Sequence, residues 1–157
     1  MNTIGPCLCF DSQAEEAAAF YMSIFKNSAI LETTHYLEEV HRPKGSVLAV
    51  KFVLDGQEFL AINGGPQFRF TPAISFVVNC ATQEEIDDYW EKLSAGGQKV
   101  QCGWLTDKFG VSWQIVPSFL PSLFNDPDTA AAQRVFAAML QMQKLDIAAL
   151  QRAYAKA

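Results

Sequence analysis

The feature that most narrows the choice of fold is a strand-and-helix unit that occurs twice. Ile4 to Phe10, "IGPCLCF", reads as a short strand and runs into "DSQAEEAAAFYMSIF". There Ser12 and Glu15 have the spacing of a capping box, and Ala17, Phe20, Tyr21 and Ile24 recur at helical spacing. Ile74 to Cys80, "ISFVVNC", reads as a strand in the same way. It runs into "ATQEEIDDYWEKLSAGG", with Thr82 and Glu85 as a second capping box and Trp90 in the place of Phe20. Strands follow each helix. In the first half they are Ile30 to Tyr36, Val47 to Leu54 and Phe59 to Asn63, the last two joined by the hairpin signal Asp55-Gly56; in the second they are Lys99 to Leu105 and Ser112 to Val116. A duplicated strand, helix and strands order makes an α+β fold with helices on one face of each sheet.

Beyond Pro117 the pattern becomes helical. Asp126-Pro127 is expected to start a helix with an apolar stripe of Val135, Phe136, Met139, Leu140 and Met142, and Asp146 to cap a last one carrying Ile147, Leu150 and Tyr154. The expected organisation is a domain over residues 1–117, made of modules at about 1–66 and 67–117, with a helical extension over 118–157.

Charge and cysteine usage exclude several functions. The net charge is −5 with scattered basic residues, which gives no footprint for nucleic acid. The N-terminus has neither a signal-peptide pattern nor a membrane anchor, so a cytoplasmic setting with its four cysteines reduced is expected.

Alternation along the strands divides two faces. Leu8, Phe10, Leu60, Ile62, Ile74, Phe76, Val78, Trp113 and Ile115 are expected to pack on the helices; Cys7, Cys9, Phe59, Ala61, Asn63, Ser75, Val77, Ser112 and Gln114 are expected to line a small-molecule cleft. The stretch "NGGP", Asn63 to Pro66, has the glycines of a phosphate loop, but strand-like "QFRFTPAISF" follows instead of a helix. It reads as a bend, with Phe68 and Phe70 at the cleft margin.

"INGGPQFRFTPAISFVV", "TQEEIDDYWEKLSAGG" and "CGWLTDKFGVSWQIVP" together resemble the PhnB-like, or 3-demethylubiquinone 3-methyltransferase-like, branch of the vicinal oxygen chelate superfamily. The resemblance implies paired βαβββ modules, a cupped sheet around a ligand and a homodimer. It also implies metal ligands on the first and last strands of each module, and the matching positions are Gly5, Asn63, Ala73 and Gln114. Only Gln114 among them is a plausible donor, so no metal and no other cofactor is expected.

The candidate ligand-binding residues are Cys7, Cys9, Phe59, Asn63, Phe68, Phe70, Ser75, Cys102, Trp104 and Gln114. Asn63 and Gln114 either orient a ligand or bond edge backbone groups. Cys7 and Cys9, with Cys102, form either a soft-metal or redox set or ordinary small apolar packing. The expected partner is a small flat or apolar molecule, with neither nucleic acid nor membrane. The alternatives are a metal-dependent lyase or dioxygenase using Gln114 with cysteine or water ligands, a methyltransferase-like protein in name, and a partner-binding dimer.

Overall fold

The computed structural model describes residues 2–40 and 42–156. His41 lies outside the described residues. The chain divides into two compact units, Met1–Arg69 and Phe70–Ala157, so the C-terminal helices group with the second module.

In the first unit the order is β1 (Cys7–Phe10), α1 (Ala14–Ile24), β2 (Ala29–His35), β3 (Val47–Leu54) and β4 (Gln57–Asn63), and the sheet order is β1-β4-β3-β2. The first and last strands run parallel, whereas β3 pairs antiparallel with both neighbours. Asp55 and Gly56, with φ of 46° and 83°, turn β3 back into β4, the double left-handed geometry of a tight hairpin. Burial of Ala14, Ala17, Ala18, Tyr21 and Ile24 fixes the inner face of α1. Leu8, Phe10, Val50, Phe52, Leu54, Phe59 and Ala61 supply the buried side of the sheet.

The second unit repeats the plan with β5 (Ser75–Cys80), α2 (Gln83–Ser94), β6 (Gln98–Lys99), β7 (Trp104–Thr106) and β8 (Ser112–Pro117) in the order β5-β8-β7-β6. Each unit is therefore a βαβββ module, and the chain is an α+β protein built of a pair of them. Counting from the first residue of each helix, Trp90 corresponds to Tyr21 and not to Phe20; both are buried, at 2% and 0% exposure. Lys99 to Leu105 does not form one strand. It breaks at a turn through Cys102 and Gly103, whose φ values are 62° and 82°.

Three helices complete this unit: α3 (Leu120–Phe124), α4 (Thr129–Leu140) and α5 (Ile147–Ala155). Val116, Leu120, Val135, Leu145 and Leu150 form their buried cluster, with Met139 and Met142 packed against it, while Phe136 and Leu140 are exposed. Asp128, not Asp126, caps α4 by accepting from the Ala131 N–H at 3.1 Å, and Asp146 caps α5 through the Ala149 N–H at 3.0 Å. No helix among the described residues is long and apolar enough to cross a membrane.

The two expected capping boxes differ in outcome. Glu85 N–H donates to Thr82 Oγ1 at 3.2 Å, and the Glu85 carboxylate accepts from the Ala81 N–H at 2.6 Å, so the second box forms one residue displaced. At α1 the N-cap residue Gln13 makes no side-chain cap. Asn63, far off in sequence at the end of β4, takes that place: its Oδ1 accepts from the Ala14 N–H at 2.9 Å.

Candidate functional site

The exposed sheet faces are the candidate sites, and the strand registers decide which residues they carry. In the first unit Cys7 pairs with Leu60 and Cys9 with Ile62, while Leu8 pairs with Ala61 and Phe10 with Asn63. Paired residues share a face. Leu60 and Ile62 therefore lie on the open face beside the two cysteines, and Phe59, Ala61 and Asn63 lie beneath the helix. This reverses the expected assignment of β4. Leu60 and Ile62 occupy the open face, whereas Phe59, Ala61 and Asn63 are buried and Asn63 caps α1.

Phe59 is accordingly a core residue, stacked on Phe52 with ring centroids 5.4 Å apart. Asn63 is fully buried, and both its amide protons are engaged, by the Glu15 carboxylate at 2.8 Å and the Val47 carbonyl at 3.0 Å. Its backbone carbonyl accepts from Tyr36 O–H at 2.6 Å. It holds a helix instead of facing a ligand. Just beyond it the Gly64 and Gly65 amides donate to the Phe10 and Asp11 carbonyls, at 2.9 and 3.3 Å, so the "NGGP" bend spends its N–H groups on backbone. Phe68 is exposed and Phe70 half-buried; "QFRF", which contains both, forms no strand.

In the second unit the alternation holds as expected. Phe76, Trp113 and Ile115 take one side, the two rings 5.4 Å apart. Trp113 Nε1–H donates to Asp107 Oδ2 at 2.9 Å, while Asp107 Oδ1 accepts from the Phe109 and Val111 amides, a buried arrangement that no short motif announced. Ile74 departs from expectation: it precedes the strand and is 74% exposed.

Val77 pairs with Gln114 and Gln114 with Trp104, so the three lie in one row across β5, β8 and β7; Ser75, Ser112 and Thr106 form the next, but Ser112, expected to line a cleft, is only 2% exposed. The two rows are joined by Gln114 Nε2, which donates to Ser75 Oγ at 2.9 Å. Whichever way round the amide lies, this pair retains at least one hydrogen-bond donor and one acceptor for another molecule. Val77, on one side of Gln114, is exposed, and Trp104, on the other, is half-buried. Cys102 sits in the turn behind β7, its N–H held by the Met142 carbonyl at 2.8 Å.

The donor set does not fit a divalent cation. Gly5 and Ala73 carry no ligand atom, and Asn63 is committed to α1. Gln114 alone remains of the four matching positions. Among the described residues no three His, Cys, Asp or Glu side chains gather into a group that could hold a metal ion.

A family model described as 3-demethylubiquinone-9 3-methyltransferase matches residues 2–116. The chain belongs to that family. Its paired βαβββ modules have the fold that the sequence resemblance to the vicinal oxygen chelate superfamily implies. The PhnB protein of Bacillus cereus is 39% identical, with a TM-score of 0.68 over 74% of this chain and 99% of that one. A Pseudomonas aeruginosa protein has a TM-score of 0.60 at 19% identity, over 73% and 96% of the two chains. The fosfomycin resistance protein FosX of Listeria monocytogenes, in complex with Mn(II) and sulfate, has a TM-score of 0.50 at 19% identity, over 73% and 89%, and shares the fold. No curated protein matches. The PhnB-like family model stops short of α3, α4 and α5, so these helices extend the family's matched region.

Proposed function

We propose that this PhnB-like protein binds a small, flat or apolar molecule on the open sheet face of its second module, without a divalent metal held at the superfamily's usual positions. The supporting observation is the Ser75–Gln114 pair, which sets a free donor and acceptor beside an exposed valine and an indole. An apolar floor with a few convergent polar groups is the usual composition of a small-molecule site.

The methyltransferase of the family's name is not the reading favoured. Transfer from S-adenosylmethionine is usually built on a doubly wound parallel sheet with a glycine-rich loop at a helix N-terminus, and each sheet here is a four-stranded mixed one.

A thermal-shift screen of small planar heteroaromatic amides and phenols tests the proposal. A ligand at about 100 times its Kd stabilises by roughly 2.7 kcal/mol. That gain should vanish in a Ser75→Ala, Gln114→Ala double variant, and equal shifts in both proteins would remove this face as the site.

A further inference from the structure

We propose that Cys7 and Cys9 form a two-coordinate site for a soft d10 cation, Cu(I) being the physiological type and Ag(I) a redox-inert stand-in. They occupy alternate positions of β1 on its open face, Cys7 exposed and Cys9 half-buried, and both are free thiols.

Strand geometry favours a metal over a disulfide. Alternate residues on one face stand roughly 6.6 Å apart. A disulfide needs Cβ atoms within about 4.5 Å, which a single extended strand does not provide. Two thiolates on a linear ion need a sulfur–sulfur span of about 4.6 Å, twice a metal–thiolate bond of roughly 2.3 Å. Side chains leaning toward each other along the strand can meet that span without bending the backbone.

The surroundings select the kind of ion. The neighbours across the parallel pairing are Leu60 and Ile62, so the thiols stand against apolar side chains. No third His, Cys, Asp or Glu completes a group with them among the described residues. Hard cations, and divalent ions that prefer four ligands, are thereby disfavoured, while thiolate sulfur suits Cu(I). The close approach of Gly64 reserves space for the second sulfur: a Cβ at that position would stand 2.8 Å from Cys9 Sγ. Binding forms two metal–sulfur bonds and releases two protons to solvent, leaving a bis-thiolate complex with one negative charge and no change of oxidation state.

The test uses the full chain. Competition against a chromophoric Cu(I) chelator under reducing, anaerobic conditions, with Ag(I) titration in parallel, is compared between wild type, Cys7→Ser, Cys9→Ser and a Cys80→Ser, Cys102→Ser double variant. One equivalent of ion is expected in wild type and in the Cys80, Cys102 variant, with a linear two-coordinate X-ray absorption signature. Either single change at Cys7 or Cys9 should weaken binding by at least the roughly hundredfold that loss of even an outer-shell partner can cost. Gly64→Ala, which crowds Cys9 while leaving both thiols present, should weaken it too. Undiminished affinity in Cys7→Ser or Cys9→Ser, a three-coordinate signature, or wild-type affinity no better than that of the single variants would each overturn the proposal.

Discussion

Asn63 Nδ2 donates to Glu15 Oε1 at 2.8 Å, joining the last residue of β4 to the first turn of α1. Through this contact and the Oδ1 bond to the Ala14 N–H, the sheet itself caps the helix. One side chain thereby satisfies an orphan helix N–H, places a carboxylate near the positive end of the dipole, and fixes the helix along the strand axis. Asn63→Ala should lower stability by about 2–3 kcal/mol, the loss of a cap together with a buried N–H left unpaired. Urea denaturation checks it. A change below about 0.5 kcal/mol would mean that Ser12 or water replaces the cap without cost.

The same residue shows what sequence could and could not disclose. The repeated strand and helix are local signals, and the hairpin at Asp55-Gly56 and the cap at Asp146 are local chemistry; these were legible. The face of β4 was not. Alternation gives two sets but does not say which is inward, and Leu60 and Ile62 look more like core than Ala61 and Asn63. Only the parallel pairing with β1, a contact between distant segments, puts Ala61 beside Leu8. On β5 and β8 the inner set is also the more apolar, so composition and register agree and Ser75 and Gln114 were placed on the open face. Asp107 was missed because its partners come from the turn and strand that follow it, where an aspartate reads as ordinary turn chemistry.

Asp107 anchors that turn from inside. It is 2% exposed and accepts from the Phe109 and Val111 amides and from the Trp113 indole. Asp107→Ala strands two buried donors and a part-buried one, and a loss of about 3 kcal/mol or more is expected. Asp107→Asn keeps one acceptor oxygen and should cost less, about 1–3 kcal/mol. Denaturation followed by tryptophan fluorescence measures both. Equal costs for the two variants would show that the turn depends on side-chain volume and not on its acceptors.

Cys80 makes stability depend on alkaline pH. Burial, and then the charge of Glu85, push its thiol up from 9.0 to about 12. The unfolded chain therefore loses this proton near pH 9, while the folded chain keeps it until about pH 12. Between those values the unfolded state binds fewer protons, so stability is fully present below pH 9 and falls as pH rises through the window. One such group changes stability by at most about 1.4 kcal/mol per pH unit. The stability difference between wild type and Cys80→Ala, measured in urea at pH 8, 9, 10 and 11, should shift steadily in favour of the variant above pH 9. A constant difference would show that the thiol titrates alike in both states.

The C-terminal helices are bonded into the second module and are not a detachable tail. Gln83, in the first turn of α2, donates to the Leu145 carbonyl at 3.1 Å and accepts from the Ile147 N–H at 2.8 Å. Lys144 pairs with Asp87 at 2.9 Å, and Val116 at the end of β8 is buried in the cluster with Leu120, Val135, Leu145 and Leu150. The ion pair is exposed and contributes little; the two Gln83 bonds and the buried cluster supply the coupling. Truncation after Pro117 should cost the module on the order of 3 kcal/mol or more. Gln83→Ala should cost about 1–3 kcal/mol in the full chain and clearly less in the shortened one, because Leu145 and Ile147 leave with the helices and only the bond from Gln83 Nε2–H to Asp87 Oδ1 within α2 remains. A Gln83→Ala penalty that survives truncation undiminished would show that Gln83 acts within α2 alone, and the helices would then have to be regarded as independent of the module.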